Sequence, residues 1–182
     1  MKAFLYSFWE IFEVVAVAVV VVAAVRSFIV QPFLVSGASM EPSFSSGDYL
    51  LIDEISYRFN QPGRGDVIVF HYPGDESVYY IKRVIGLPGE RLLISNGKIK
   101  IFNPENSNGF VLDEFYLSSG LKTSGSEEVI LKSDQYFVMG DNRNYSFDSR
   151  SWGSLQKSEI VGLVRLRLWP FNKAMAVEQP AY

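Results

Sequence analysis

The chain has 182 residues, 48% of them hydrophobic and 20% charged, with 17 Lys and Arg against 20 Asp and Glu for a net charge of -3. That length suits one globular domain with an appended segment, the composition is that of a chain that buries a core, and a weakly acidic protein without a basic cluster is a poor nucleic-acid binder. The lack of cysteine excludes disulfides, thiolate metal sites and cysteine nucleophiles, and a single histidine, His71, excludes a His-rich metal centre.

Residues 11–30 are apolar except for Glu13, Arg26 and Ser27, and 14–25 is an unbroken apolar run. It shows neither a helical stripe nor alternation, so every face wants an apolar environment. Twenty helical residues reach about 30 Å, the thickness of a bilayer core. Pro32 predicts a helix exit near Val30. A transmembrane anchor fits best. A cleavable secretory signal, with small residues at Ala16-Val17-Ala18 and Ala23-Ala24-Val25, and a buried core helix are the alternatives. Lys2 and Arg26 nearly balance across the span, so charge alone does not orient it.

After Pro32 the pattern changes to short apolar runs separated by Gly, Pro, Asn and Asp. Strands are predicted at 49–52, 67–70, 78–85, 92–94, 98–101, 129–131, 136–139 and 160–168. Asn96-Gly97 between two of them is a strong hairpin signal. The polar, Ser/Gly-rich stretch 104–125 predicts an excursion from the core, a ribbon or long loop. The expected fold is mainly β: an antiparallel β-barrel or sandwich over 32–182, preceded by an anchor segment over 1–31 with its transmembrane helix at about 11–30.

Within 79–85, Lys82 shares a strand face with Tyr80 and Val84, while Arg83 shares the other with Ile81 and Ile85. Both faces are mostly apolar and each carries one cation, so at least one cation is expected in apolar surroundings. Burial lowers a lysine pKa, by up to ~3–5 units when complete, whereas arginine keeps its proton. Lys82 is therefore a candidate neutral base, against the simpler reading that it pairs with a carboxylate or snorkels to water. Ser39, in Gly37-Ala38-Ser39-Met40-Glu41-Pro42, is a candidate nucleophile on a tight bend, against the reading of an ordinary Ser-rich loop. The stretch Gly140-Asp141-Asn142-Arg143-Asn144-Tyr145-Ser146-Phe147-Asp148-Ser149-Arg150 follows a strand. It can either brace an irregular backbone or orient a catalytic group, with Asp148 and Arg150 as a possible ion pair. His71 reads as a strand-end residue rather than a base.

Ser-Met-x-Pro after the apolar run, Tyr-Ile-Lys-Arg-Val-Ile-Gly-Leu-Pro-Gly-Glu on a strand, and Gly-Asp-Asn-Arg-x-x-Ser-x-Asp-Ser-Arg after a later strand occur in that order. The chain thus resembles the type I signal peptidases, membrane-bound Ser–Lys proteases, from the anchor to about Leu168. The resemblance implies Ser39 as nucleophile and Lys82 as general base. It implies Ser146 as the serine that hydrogen-bonds the lysine, Asp148 and Arg150 as the ion pair behind the site, and Val35 and Ile81 as lining of a pocket for small side chains. It also implies cleavage of secretory preproteins after Ala-x-Ala, without metal or organic cofactor. It orients the helix with a cytoplasmic amino terminus and an extracytoplasmic β-domain, in a monomer in the lipid bilayer near the secretion translocon. No nucleic-acid partner is implied. Two departures stand out: Gly37 has no hydroxyl where some members carry a second oxyanion donor, and Asn144-Tyr145 replaces the frequent Asp-Asn. The alternatives are a membrane-tethered β-module that binds extracellular peptides without catalysis, a self-cleaving Ser–Lys repressor, whose DNA-binding domain is missing here, and a Ser–His protease, disfavoured because His71 lies eleven residues before the lysine position.

Overall fold

A computed structural model describes residues 2–28 and 30–180, with the side chains of 9–22 and 31–180. Helix α1 (Lys2–Phe28) leads into strand β1 (Val30–Leu34). From Trp9 to Val22 every side chain of α1 except the half-buried Ala16 is exposed. Residues 23–30 of the predicted span lie outside the described side chains. Among the described residues no helix is long and apolar enough to cross a membrane.

The β-region follows the apolar runs closely. β2 (Tyr49–Asp53), β3 (Val67–Tyr72), β4 (Asp75–Gly86), β9 (Gln135–Met139) and β11 (Ile160–Trp169) fall where strands were expected. With β1, β10 (Leu155–Gln156) and β12 (Met175–Ala176) they form an eight-stranded sheet in the order β1-β2-β11-β3-β4-β9-β10, with β12 beside β11. β5 (Arg91–Ser95), β6 (Lys98–Asn103), β7 (Asn106–Val111) and β8 (Glu127–Ile130) form a second sheet in the order β7-β6-β5-β8. The β5–β6 turn is the predicted one: Asn96 and Gly97 both have positive φ, 52° and 78°, as a tight hairpin requires.

One expectation is corrected. The sheets are antiparallel, but the large one does not close into a barrel: β1 and the two-residue β10 end its strand order unpaired with each other. Closure depends on strand tilt and stagger, which a period-2 pattern does not encode. Within 104–125, β7 pairs with β6, and Leu112 and Thr123 beyond it are buried.

β3 and β4 show how the sheet is filled. Val67, Val69 and Ile81 point to one face, joining Val35, Met40, Phe44, Leu50 and Ile52 in a core under the 35–48 connection. Ile85, Phe137 and Met139 continue that face against Leu92, Ile94, Ile99 and Ile101 of the small sheet. Ile68, Phe70, Tyr80 and Val84 line the opposite face with Tyr136, Val138 and Leu155. Both faces of β4 are therefore buried toward its C-terminal end, which is why Lys82 and Arg83 are 3% and 4% exposed. The two helical turns α2 (Ser56–Phe59) and α3 (Ser149–Trp152) sit at connections.

Candidate active site

The connection from β1 to β2 carries Ser39. It is pinned at both ends, by Val35 N–H to Asp48 O at 2.9 Å and Gly47 N–H to Val35 O at 2.9 Å. Met40 and Phe44, 1% and 3% exposed, are driven into the core, and the half-buried Ser39 is left at its edge. The other partner comes from mid-sheet. Lys82 leaves β4 on the Tyr80 face, and its Nζ lies 2.8 Å from Ser39 Oγ and 2.9 Å from Ile81 O. The Tyr80 ring centroid is 5.1 Å from the same nitrogen. The two residues are 43 apart in sequence and in contact in space.

Burial pushes the Lys82 ammonium down to about 8, although the Asp148 and Asp141 carboxylates pull the other way. Both carboxylates are tied to arginines. Arg83, on the opposite face of β4, donates twice to Asp141, at 2.9 and 2.7 Å, and stacks over the Tyr116 ring at 4.0 Å. Arg150 donates twice to Asp148, both at 2.8 Å. Burial pushes the Asp148 carboxyl up, but the Arg150 hydrogen bonds and charge outweigh it and hold the group below its ordinary value. Asp148 also accepts Gly140 N–H at 3.1 Å, so the ion pair fixes the start of the loop that faces Ser39.

That loop sits tightly on the nucleophile's segment. A Cβ at Gly140 would run into Ser39 O and Ser146 Oγ, so only glycine permits the approach. The buried hydroxyl of Ser146, which the resemblance sets against the lysine, makes no hydrogen bond to Lys82. The loop turns it against Gly140 and toward Asp148, where it helps hold the carboxyl down without a hydrogen bond of ordinary geometry. Lys82 Nζ instead finds its second partner in its own strand, at Ile81 O.

Val35 and Ile81 both line a cleft of about 330 Å³ that opens beside Ser39 and Lys82. Leu50 and Val69 close it, and the exposed Tyr145 and Phe147 stand at its lip. His71 is elsewhere in its bonding: its Nδ1 lies 2.6 Å from Glu76 O and its ring packs on Tyr79. A half-buried hydroxyl touching a buried amine of lowered pKa can generate an alkoxide-like nucleophile without histidine.

Sequence reasoning missed Glu114. It reaches from the 104–125 stretch to pair with Arg143, which is fully buried and also donates to Thr123 Oγ1 at 2.6 Å and Gly140 O at 3.0 Å. Only the acidic residue itself, in a Ser/Gly-rich stretch, hinted at a partner.

Residues 8–169 match a family model described as signal peptidase, peptidase S26. The chain is 36% identical over 169 residues to a signal peptidase I of Leptolyngbya laminosa, covering 88% of this chain and 79% of that protein. It is 34% identical over 176 residues to signal peptidase IB of Staphylococcus aureus, covering 87% and 88%. A solved signal peptidase I structure from Enterococcus faecalis V583 is 28% identical, covers 57% of this chain and 97% of that one, and has a TM-score of 0.48.

Proposed function

The chain belongs to the signal peptidase I family of serine proteases, which remove signal peptides from secretory preproteins, and from this premise we propose that Ser39 is its nucleophile and Lys82 its general base. The observation that carries the proposal is the 2.8 Å separation of Lys82 Nζ from Ser39 Oγ at an amine whose pKa burial lowers to about 8. Neutral Lys82 takes the Ser39 proton as Oγ attacks the scissile carbonyl, and the resulting ammonium protonates the leaving amine. Water, activated by the same amine, then hydrolyses the acyl-enzyme. Asp148 and Arg150 support the base by holding the loop at its back. Ser146 fills the space between that loop and Asp148.

Val35 and Ile81 shape the pocket for the residue at the cleaved bond. Alanine fits it, and a larger side chain would overpack a cleft whose walls are core residues. The substrate lies extended along β1, which is an edge of the large sheet with unused backbone groups. Residues 1–31 form the membrane anchor, amino terminus inside, and 32–182 the extracytoplasmic catalytic unit. The support here is the apolar run 11–30, interrupted only by Glu13, Arg26 and Ser27. The protein acts as a monomer beside the secretion translocon, where its substrates emerge.

Incubated with a secretory preprotein, the purified protein is expected to cleave after Ala-x-Ala and Ser39→Ala is not. A preprotein with Phe at the cleaved position should remain uncut. The rate should climb about tenfold per pH unit below about 8 and level off above it, as the neutral fraction of Lys82 grows. A rate flat from pH 6 to 9 would rule out the neutral amine. Separately, the full chain is expected to stay with the membrane pellet after alkaline carbonate extraction; release into the supernatant would show that 11–30 does not span.

A further inference from the structure

The nucleophile's segment and the 140–146 loop are joined by two hydrogen bonds from one residue. Asn142 N–H donates to Ser39 O at 3.0 Å, and Asn142 Nδ2 donates to Ala38 O at 3.0 Å. A carbonyl oxygen only accepts, so the amide nitrogen of Asn142, not its oxygen, must face Ala38. Ala38 C=O and Ser39 N–H belong to the same planar peptide, and across a trans peptide they point in opposite directions. Holding the carbonyl on the Asn142 side therefore turns the Ser39 N–H away from that loop. Among the described residues this N–H donates to no protein acceptor. Donation to one end of an amide also polarises the other: hydrogen bonds in series strengthen one another, by perhaps ~10–30% per bond.

We propose that Asn142 is a positioning residue for the oxyanion site: its side chain grips Ala38 O and so aims and polarises the Ser39 N–H that receives the developing oxyanion. The inference rests on Ser39 being the nucleophile. The sequence makes the device matter more here, because Gly37 has no hydroxyl to share the charge. The loop that carries Asn142 is itself rigid. Arg143 Nε donates to Gly140 O at 3.0 Å, and Gly140 N–H is fixed by Asp148 at 3.1 Å. A gripping side chain on a rigid loop can impose an orientation on the peptide it holds, whereas one on a mobile loop would follow it.

The test compares the full-length protein with Asn142→Ala and Asn142→Asp. The substrates are a peptide cleaved after Ala-x-Ala and its twin with sulfur in place of the scissile carbonyl oxygen. Both variants keep the backbone bond from residue 142 to Ser39 O. Asn142→Ala is expected to lower kcat about tenfold, to leave KM within twofold, and to leave the acid limb of the pH profile unmoved, since Lys82 is untouched. The rate penalty for sulfur should shrink, because a poorly aimed donor discriminates less between oxygen and sulfur. Asn142→Asp, nearly isosteric and therefore informative even if the alanine variant does not fold, sets a carboxylate against Ala38 O and should lose more. Unchanged kcat, a loss confined to KM, a moved acid limb or an unchanged sulfur penalty would each overturn the assignment. Ser39→Ala, run alongside, separates the two readings: turnover by Ser39→Ala would remove the nucleophile itself, whereas an inactive Ser39→Ala beside a fully active Asn142→Ala would remove only the role of Asn142.

Discussion

Lys82→Met is expected to lower turnover at least about a thousandfold and, at neutral pH, to make the protein more stable. The first effect is the loss of a base that no other side chain replaces. His71, the only imidazole, is bonded to Glu76 O. The second effect follows from the pKa. In the folded protein Lys82 releases its proton at about 8, and in the unfolded chain near the ordinary lysine value of 10.5. Between those values the unfolded state holds more protons, so stability rises with pH across that window. Below it both states are charged, and the full cost of burying the ammonium is present. A shift of that size corresponds to about 3 kcal/mol. Methionine fills the same apolar volume without charge, so the variant should show a higher urea midpoint at pH 7. It should also lose the part of the rise between pH 8 and 10.5 that belongs to Lys82. If wild type and variant show the same pH dependence of stability there, the amine is not held in the buried, depressed state.

Glu114→Ala is expected to destabilise the protein by roughly 3–5 kcal/mol, because it removes the carboxylate partner of Arg143 and leaves that guanidinium buried. Thr123 Oγ1 and Gly140 O would still accept hydrogen bonds from Arg143, but neither carries a charge. Arg143 has its pKa raised: burial alone would lower it, and the hydrogen bonds and charge of Glu114 more than compensate. The double variant Glu114→Ala/Arg143→Met should recover much of the loss, since replacing a buried pair with apolar groups is often close to neutral. Urea denaturation of the three proteins measures this. A single-variant cost below about 1 kcal/mol would mean that water or another group takes over from Glu114, and that the chain beyond β7 does not brace the 140–146 loop.

The strand at Lys82 was legible because a local rule governs it. Tyr80, Ile81, Val84 and Ile85 fill both faces of one strand, and a strand apolar on both faces must be interior, with whatever cations it carries. The Asn96-Gly97 turn was legible for the same reason: its backbone angles are demanded by two adjacent residues. The direction of the Ser146 side chain was not legible, because its motif fixes its distance along the chain from Asp148 but not the way in which the loop turns it. Glu114 was missed because its partner lies 29 residues away, and no periodicity links an acidic residue in a polar stretch to an arginine in another loop.

Local sequence determined which segments are strands, that at least one cation of the Lys82-Arg83 pair would be buried, and which residue types could do the chemistry, because alternation, turn preference and desolvation act over a few residues. The tertiary structure alone decided that the large sheet stays open, that β7 joins the small sheet, and that Ser39 and Lys82 come within 2.8 Å of one another. It also decided that Asn142 reaches the carbonyls on both sides of the Ser39 Cα. Those outcomes depend on how distant strands and loops pack in three dimensions, and a hydrogen bond is made or lost over a few tenths of an ångström that no pattern along the chain specifies.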